Sequence, residues 1–211
     1  MAYDLEEQEQ LAELKAWWKQ YGKLVTLAIA AFLVGLAAVQ GWRYYRDAQA
    51  QAAVALYGQL EEADQAGDGK KVRAIAAQIV AKYESTAYAV LGSLVAARHA
   101  FATGDLAEAK ARLQWVAENS REEEIRDVAR LRLAAVLLDE KQYAEALKLV
   151  EQKPVESMVG PYADTKGDIL AAQGKLAEAR RAYQLALDMS EANSPYRATL
   201  QLKLDALGEA R

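Results

Sequence analysis

The phrase Gly-Asp-Leu-Ala-Glu-Ala-Lys at 104–110 returns as Lys-Gln-Tyr-Ala-Glu-Ala-Leu at 141–147 and as Gly-Lys-Leu-Ala-Glu-Ala-Arg at 174–180. The three starts lie 37 and 33 residues apart. A period near 34, with a turn residue followed by Ala at a fixed offset, predicts stacked helix pairs that bury their apolar faces against one another. Small side chains belong where the two helices of a pair cross most closely. Seven residues before each turn position stand Ala97, Ala134 and Gly167, and five after it stand Ala109, Ala146 and Ala179. Further along, Val116 and Ala186 suit a helix contact but Lys153 does not, and Pro154 ends the helix after Tyr143 early. The middle repeat is therefore irregular.

These offsets are those of tetratricopeptide hairpins. Counting 34 residues upstream reaches Ala63 before a turn at Gly67-Asp68-Gly69-Lys70, with Ile75 or Ala76 on the second helix, so a degenerate first hairpin is expected. Downstream, Ser194-Pro195 has the form of a helix start, and the segment to Leu207 is expected to cap the stack. From Arg46 on, Ala, Leu, Glu, Gln, Lys and Arg dominate, and all three prolines lie at or beyond Pro154. Nothing alternates with period two, so the fold class is all-α: a tetratricopeptide-like α-solenoid. Such solenoids bind partner segments on the concave face made by the first helix of each pair. The register assigns Leu91, Leu94, Arg98 and Phe101 of one hairpin and Val128, Leu131, Ala135 and Leu138 of the next to that face. This mostly apolar set suits an amphipathic helix or an unfolded hydrophobic segment, although each position also fits a buried helix contact.

Ahead of the repeats, Leu24 to Trp42 reads LVTLAIAAFLVGLAAVQGW, with no charge between Lys23 and Arg43. A helix rising about 1.5 Å per residue covers the roughly 30 Å of a bilayer core in a run of this length. Trp17, Trp18 and Tyr21 precede the run, and Trp42, Tyr44 and Tyr45 follow it. Interfacial rings with Lys19, Lys23, Arg43 and Arg46 beside them mark both ends of a single transmembrane helix. Its polar members, Thr26 and Gln40, lie near the ends, where water or headgroups are expected to satisfy them. Ala48-Gln49-Ala50 has the small-x-small form of a cleavage site, but Asp4, Glu6, Glu7 and Glu9 and the long apolar core do not fit a signal peptide. The anchor is expected to stay attached. Ala28, Ala31, Gly35 and Ala38 recur at i, i+3, i+7 and i+10, a strip on which another transmembrane helix could pack. Between Arg43 and Ala66 only Gly58 weakens helix formation, so the span is expected to run on into the first hairpin.

The domains expected are an N-terminal tail and juxtamembrane helix at 1–23, the span at 24–42 and a tetratricopeptide-like domain at 43–211. Lys15, Lys19 and Lys23 against Arg43 and Arg46 give a slight bias toward a cytoplasmic N-terminus, and the orientation rests mainly on the resemblance below. The 26 Lys and Arg stand against 30 Asp and Glu, and beyond residue 23 the balance is 23 against 25. Nucleic acid, which demands a basic face, is not an expected partner.

Chemistry is sparse. His99 is the only histidine and there is no cysteine, so neither a Ser-His constellation nor a His/Cys zinc site can be assembled. A packed or surface role is expected for His99. Glu122, Glu123, Glu124 and Asp127 read as acids favoured by a helix dipole, with Ser120 as the cap. Gly67-Asp68-Gly69-Lys70 lacks the upstream glycine and the strand of a phosphate loop and reads as a turn. No cofactor and no catalytic residue is expected.

The acidic tail, the helix Leu11 to Lys23 ending in Tyr-Gly-Lys, the span closing with Gly41-Trp-Arg-Tyr-Tyr45, the Tyr88-Ala-Val-Leu-Gly-Ser-Leu94 helix and the degenerate repeats together resemble the YfgM-like ancillary SecYEG translocon subunits of Gram-negative bacteria. The resemblance implies an inner-membrane protein with a cytoplasmic N-terminus and a periplasmic repeat domain. It further implies association with the SecYEG channel and the membrane-anchored chaperone PpiD, assistance to exported client proteins, and for some members an effect on stress signalling. Two function classes follow: a noncatalytic translocon adaptor, or a membrane-anchored regulator whose repeats bind a signalling protein. An enzyme ranks third.

Overall fold

The computed structural model describes the backbone of residues 2–208 and the side chains from residue 10 onward; the acidic side chains Asp4, Glu6, Glu7 and Glu9, and Arg211, lie outside the described residues. Nine α-helices and one 3-10 turn make up the described chain, with no strand among them. The first, α1, runs Ala2–Gln65 without a break, as the lack of proline from Arg43 to Ala66 predicts. Two units divide within it, Met1–Gln51 and Ala52–Arg211.

In the first unit the apolar run is left uncovered by the described residues. Its most apolar 18 residues have a mean hydropathy of 2.2 and none of them is buried. A core helix would be covered, so an exposed run of this length is a candidate membrane span. Its flanks are aromatic: the Trp17 and Tyr21 rings lie 5.8 Å apart at one end, and Trp42 and Tyr45 6.1 Å apart at the other. The Thr26 hydroxyl donates to the carbonyls of Gly22 at 2.9 Å and Lys23 at 3.0 Å. Its own helix, rather than interfacial water, therefore satisfies this polar group.

The second unit is a succession of hairpins. The end of α1 pairs with α2 (Gly69–Tyr83), Leu60 and Ala63 sharing a buried cluster with Val72, Ala76 and Ile79. Likewise α3 (Ala87–Ala102) pairs with α4 (Leu106–Asn119), α5 (Glu123–Asp139) with α6 (Tyr143–Val150), and α7 (Val159–Ala172) with α8 (Leu176–Asp188). A last helix, α9 (Tyr196–Ala206), packs on α8. It begins one residue later than Ser194-Pro195 predicts, with the Ser194 hydroxyl accepting from the Tyr196 amide.

The turns explain the repeated phrase. Gly67, Gly104, Lys141 and Gly174 all adopt positive φ, between 61° and 81°, which lets the chain reverse after each first helix. In each turn the following amide reaches back five residues to a helix carbonyl: Asp68 to Ala63, Asp105 to Ala100, Gln142 to Leu137 and Lys175 to Leu170, at 2.8–2.9 Å. Asp68 and Asp105 then cap the next helix by accepting from the Lys71 and Glu108 amides at 3.1 Å. Gln142 and Lys175 occupy the same place and make no such bond.

Small residues sit at the crossings. Ala63, Ala97, Ala134 and Gly167 on the first helices and Ala76, Ala109, Ala146 and Ala179 on the second are all buried. The closest crossing is in the fourth hairpin, where a Cβ on Gly167 would lie 2.4 Å from the Tyr183 ring. The third hairpin carries the expected irregularity: α6 has 8 residues and stops at Val150, leaving Lys153 outside it.

Candidate partner-binding surface

The eight candidate contact residues lie on two first helices, α3 and α5. Leu94, Leu131 and Leu138 are half-buried against a core that includes Ala97, Leu133, Leu137 and Tyr162. Val128 is likewise half-buried, whereas Leu91, Phe101 and Ala135 are exposed. At 39% and 46% exposure, Leu91 and Phe101 are large apolar side chains left in water. Arg98 is not free: it pairs with Asp64 of the preceding hairpin.

The same register places Asp64 in the first hairpin and Asp164 and Asp168 in the fourth, residues the sequence reading did not single out. Each is engaged within the chain. His99 is packed rather than exposed, its Nδ1 2.9 Å from Asp64 Oδ1. Burial pushes the Asp64 carboxyl up, but the hydrogen bonds from His99 and Arg98 outweigh it and hold the carboxyl below its ordinary value. Lys203 of α9 donates to Asp164 at 2.8 Å and to Asp168 at 2.8 Å. Burial lowers the Lys203 pKa, and the two carboxylates reverse this to leave it raised. Tyr183 donates to Asp168 at 2.7 Å and Tyr196 to Asp164; burial first, and the carboxylates second, push both phenols up. Charge at these positions is thus spent inside the fold.

The acids at the start of α5 divide. Glu122, Glu123 and Glu124 are exposed at the helix N-terminus as expected, but Asp127 is buried. It accepts from Arg130 at 2.7 Å, from Tyr162 at 2.9 Å and from the Val155 amide at 2.8 Å, pinning the irregular segment after α6 to α5 and α7. Ser120 does not cap α5; Glu122 holds the cap position, and the Ser120 hydroxyl accepts from its amide at 3.3 Å.

Among the described residues no three His, Asp or Glu side chains converge as metal ligands. A cavity of about 60 Å³ beside His99, Arg73 and Asp105 has room for about two waters, well below the ~300–1,000 Å³ of a small-molecule site. On the span strip, a Cβ on Gly35 would meet no atom of the described residues within 4 Å.

A model of a tetratricopeptide repeat-like domain matches residues 15–209, so both the span and the hairpins lie inside the matched region. The ancillary SecYEG translocon subunit of Neisseria gonorrhoeae is 35% identical over 213 residues, covering 98% of this chain and 100% of that protein. The protein of the same name from Haemophilus influenzae is 34% identical, covering 88% of this chain and 91% of its own length. That of Escherichia coli is 27% identical, with 95% and 96% covered. With its apolar N-terminal helix, its four hairpins and this end-to-end similarity, the chain belongs to the family of ancillary SecYEG translocon subunits.

Proposed function

We propose that the protein is a noncatalytic ancillary subunit of the Sec translocon in the bacterial inner membrane. The span anchors it with the N-terminus cytoplasmic and holds the repeat domain in the periplasm. There the domain links the channel to the membrane-anchored chaperone PpiD and assists newly exported proteins. The carrying observation is that the similarity to named translocon subunits extends over span and repeats together, so anchor and domain are inherited as one unit. Leu91 and Phe101, with Ala135 and the half-buried Leu94, Val128, Leu131 and Leu138, supply the partner-binding surface. The Ala28, Ala31, Gly35 and Ala38 strip packs on a transmembrane helix of the channel or the chaperone. Tethering beside a channel exit gives a high local concentration, so a weak apolar contact is enough.

The test is site-specific photocrosslinking in living cells from positions 91 and 101, with position 184 on α8 as control. Crosslinks to the chaperone or to exporting chains, absent from 184, support the reading. Crosslinks only to cytoplasmic proteins would place the domain on the other side and favour a signalling regulator.

A further inference from the structure

We propose that residues 11–23, the part of α1 just ahead of the span, lie along the bilayer surface and bind anionic phospholipid headgroups through Lys15, Lys19 and Lys23; the proposal rests on the span being a membrane anchor. At about 100° per residue, Leu11, Leu14, Trp17, Trp18 and Tyr21 fall within about 120° of the helix circumference. All five are exposed. Lys15, Lys19 and Lys23, one turn apart, form a second stripe along the edge of the first, and Glu13, Ala16 and Gln20 lie away from the apolar face.

The lysine stripe calls for a counter-charge from outside its own helix. The residues three and four away from Lys19 are Lys15, Ala16, Gly22 and Lys23, and those around Lys15 and Lys23 likewise include no acid. Lysines at i and i+4 repel, so the stripe weakens the helix unless an anionic surface runs beside all three. An anionic bilayer supplies that surface together with an apolar boundary below it: rings and leucines enter the boundary while the ammonium groups reach the phosphates. Continuity favours the bilayer over a protein groove, since the apolar run begins at Leu24, three residues beyond Tyr21 on the same helix.

A helix standing straight along the membrane normal would leave this face in water. The run at 24–42 matches the thickness of the hydrocarbon with no slack. Leu11 and Leu14 would then stand about 20 and 15 Å beyond the hydrocarbon edge, whereas the headgroup layer is about 5–8 Å deep. Trp17 and Trp18, at about 10 Å, would also pass its outer limit. Lying flat, the segment covers all of them.

The bend that this requires has a place in the chain. Gly22 weakens the helix directly after Tyr21. One turn on, the Thr26 hydroxyl donates to the carbonyls of Gly22 and Lys23. A hydroxyl bonded back into the helix ladder is a recognised cause of bending, and a glycine at the same point lowers the resistance to it. The Trp18 ring lies over Gly22, where a Cβ would stand 3.1 Å from it, so the aromatic face continues across the bend.

The chain has no cysteine, so a label attaches only where one is introduced. In the full chain reconstituted into vesicles of phosphatidylcholine and phosphatidylglycerol, a fluorophore on Leu14→Cys is expected to be several-fold less quenched by acrylamide, supplied on both sides, than one on Ala16→Cys. Vesicles of phosphatidylcholine alone, or Lys15→Gln with Lys19→Gln, should remove most of that difference. A fluorophore on Val34→Cys within the span should be shielded throughout. Equal quenching at 14 and 16 with 34 shielded would overturn the proposal and leave the anchor standing, whereas quenching at 34 would overturn both. Protection at 14 that is indifferent to lipid charge would also overturn it, as would protection found in native membranes but not in lipid vesicles, which would point to a protein partner.

Discussion

Gly167→Ala separates the packing described here from ordinary helix propensity, because the two predict opposite signs. In the interior of an exposed helix this change gains about 1 kcal/mol. At Gly167 the new Cβ would lie 2.4 and 2.5 Å from two carbons of the Tyr183 ring, more than about 1 Å inside the usual 3.5–4.0 Å separation. Tyr183 cannot easily yield, since its hydroxyl is bonded to Asp168 at 2.7 Å and the Lys203 ammonium lies 5.5 Å from its ring centre. Overpacking costs about 1–3 kcal/mol, and breaking the Tyr183–Asp168 bond costs about 1–3 more. After the propensity gain the net loss is about 1–5 kcal/mol, or roughly 2–20 °C in Tm for a domain of this size. Gly58→Ala is the control: its Cβ meets nothing within 4 Å, so Tm should rise by about 2–4 °C. Thermal unfolding of the full chain in detergent, followed by circular dichroism, reads both. The reasoning fails if Gly167→Ala is as stabilising as Gly58→Ala. In a Tyr183→Ala background the penalty at position 167 should disappear, a coupling that a double-mutant cycle measures directly.

Three further predictions follow from other parts of the chain. Lys141 holds φ at 61° where the other three turns have glycine, so Lys141→Gly should raise stability by about 1 kcal/mol in urea unfolding. An unchanged midpoint would mean that this turn relaxes at no cost. Asp64 has its pKa lowered in the folded state, so its stabilisation is present above the unfolded carboxylate value near 4 and is lost as pH falls through the folded value. Asp64→Asn should therefore be less stable than the natural chain at pH 7, with the two converging toward pH 3; a constant gap would contradict the pairing with His99 and Arg98. Gly35→Leu should reduce copurification of the channel or chaperone while the protein still inserts, and unchanged copurification removes the span strip as an interface.

The repeats were legible because the physics that places them is local. A turn needing positive φ asks for glycine, and a close crossing asks for Ala or Gly a fixed number of residues away, so Ala97, Ala134 and Gly167 could be placed by counting. Lys141 was found through its neighbours, since Ala134 and Ala146 keep the offsets although the glycine is missing. Asp127 was misread for the opposite reason. It stands in a run of acids at a helix start, while two of its partners, Val155 and Tyr162, lie 28 and 35 residues away. The Lys203 cluster was equally hidden, its carboxylates lying 39 and 35 residues upstream. For the candidate surface, the register put all eight residues on α3 and α5 but could not separate exposed Leu91 and Phe101 from half-buried Leu94 and Leu131. That difference depends on how far neighbouring hairpins cover each side chain.

The central claim, that this chain is a subunit of the translocon, is tested most directly by purifying the full chain from gently solubilised membranes and quantifying the SecYEG subunits that come with it. Enrichment of the channel subunits well above that seen with an unrelated single-span protein at equal expression is expected. A folded, membrane-inserted chain that brings no more SecYEG than the control would contradict it.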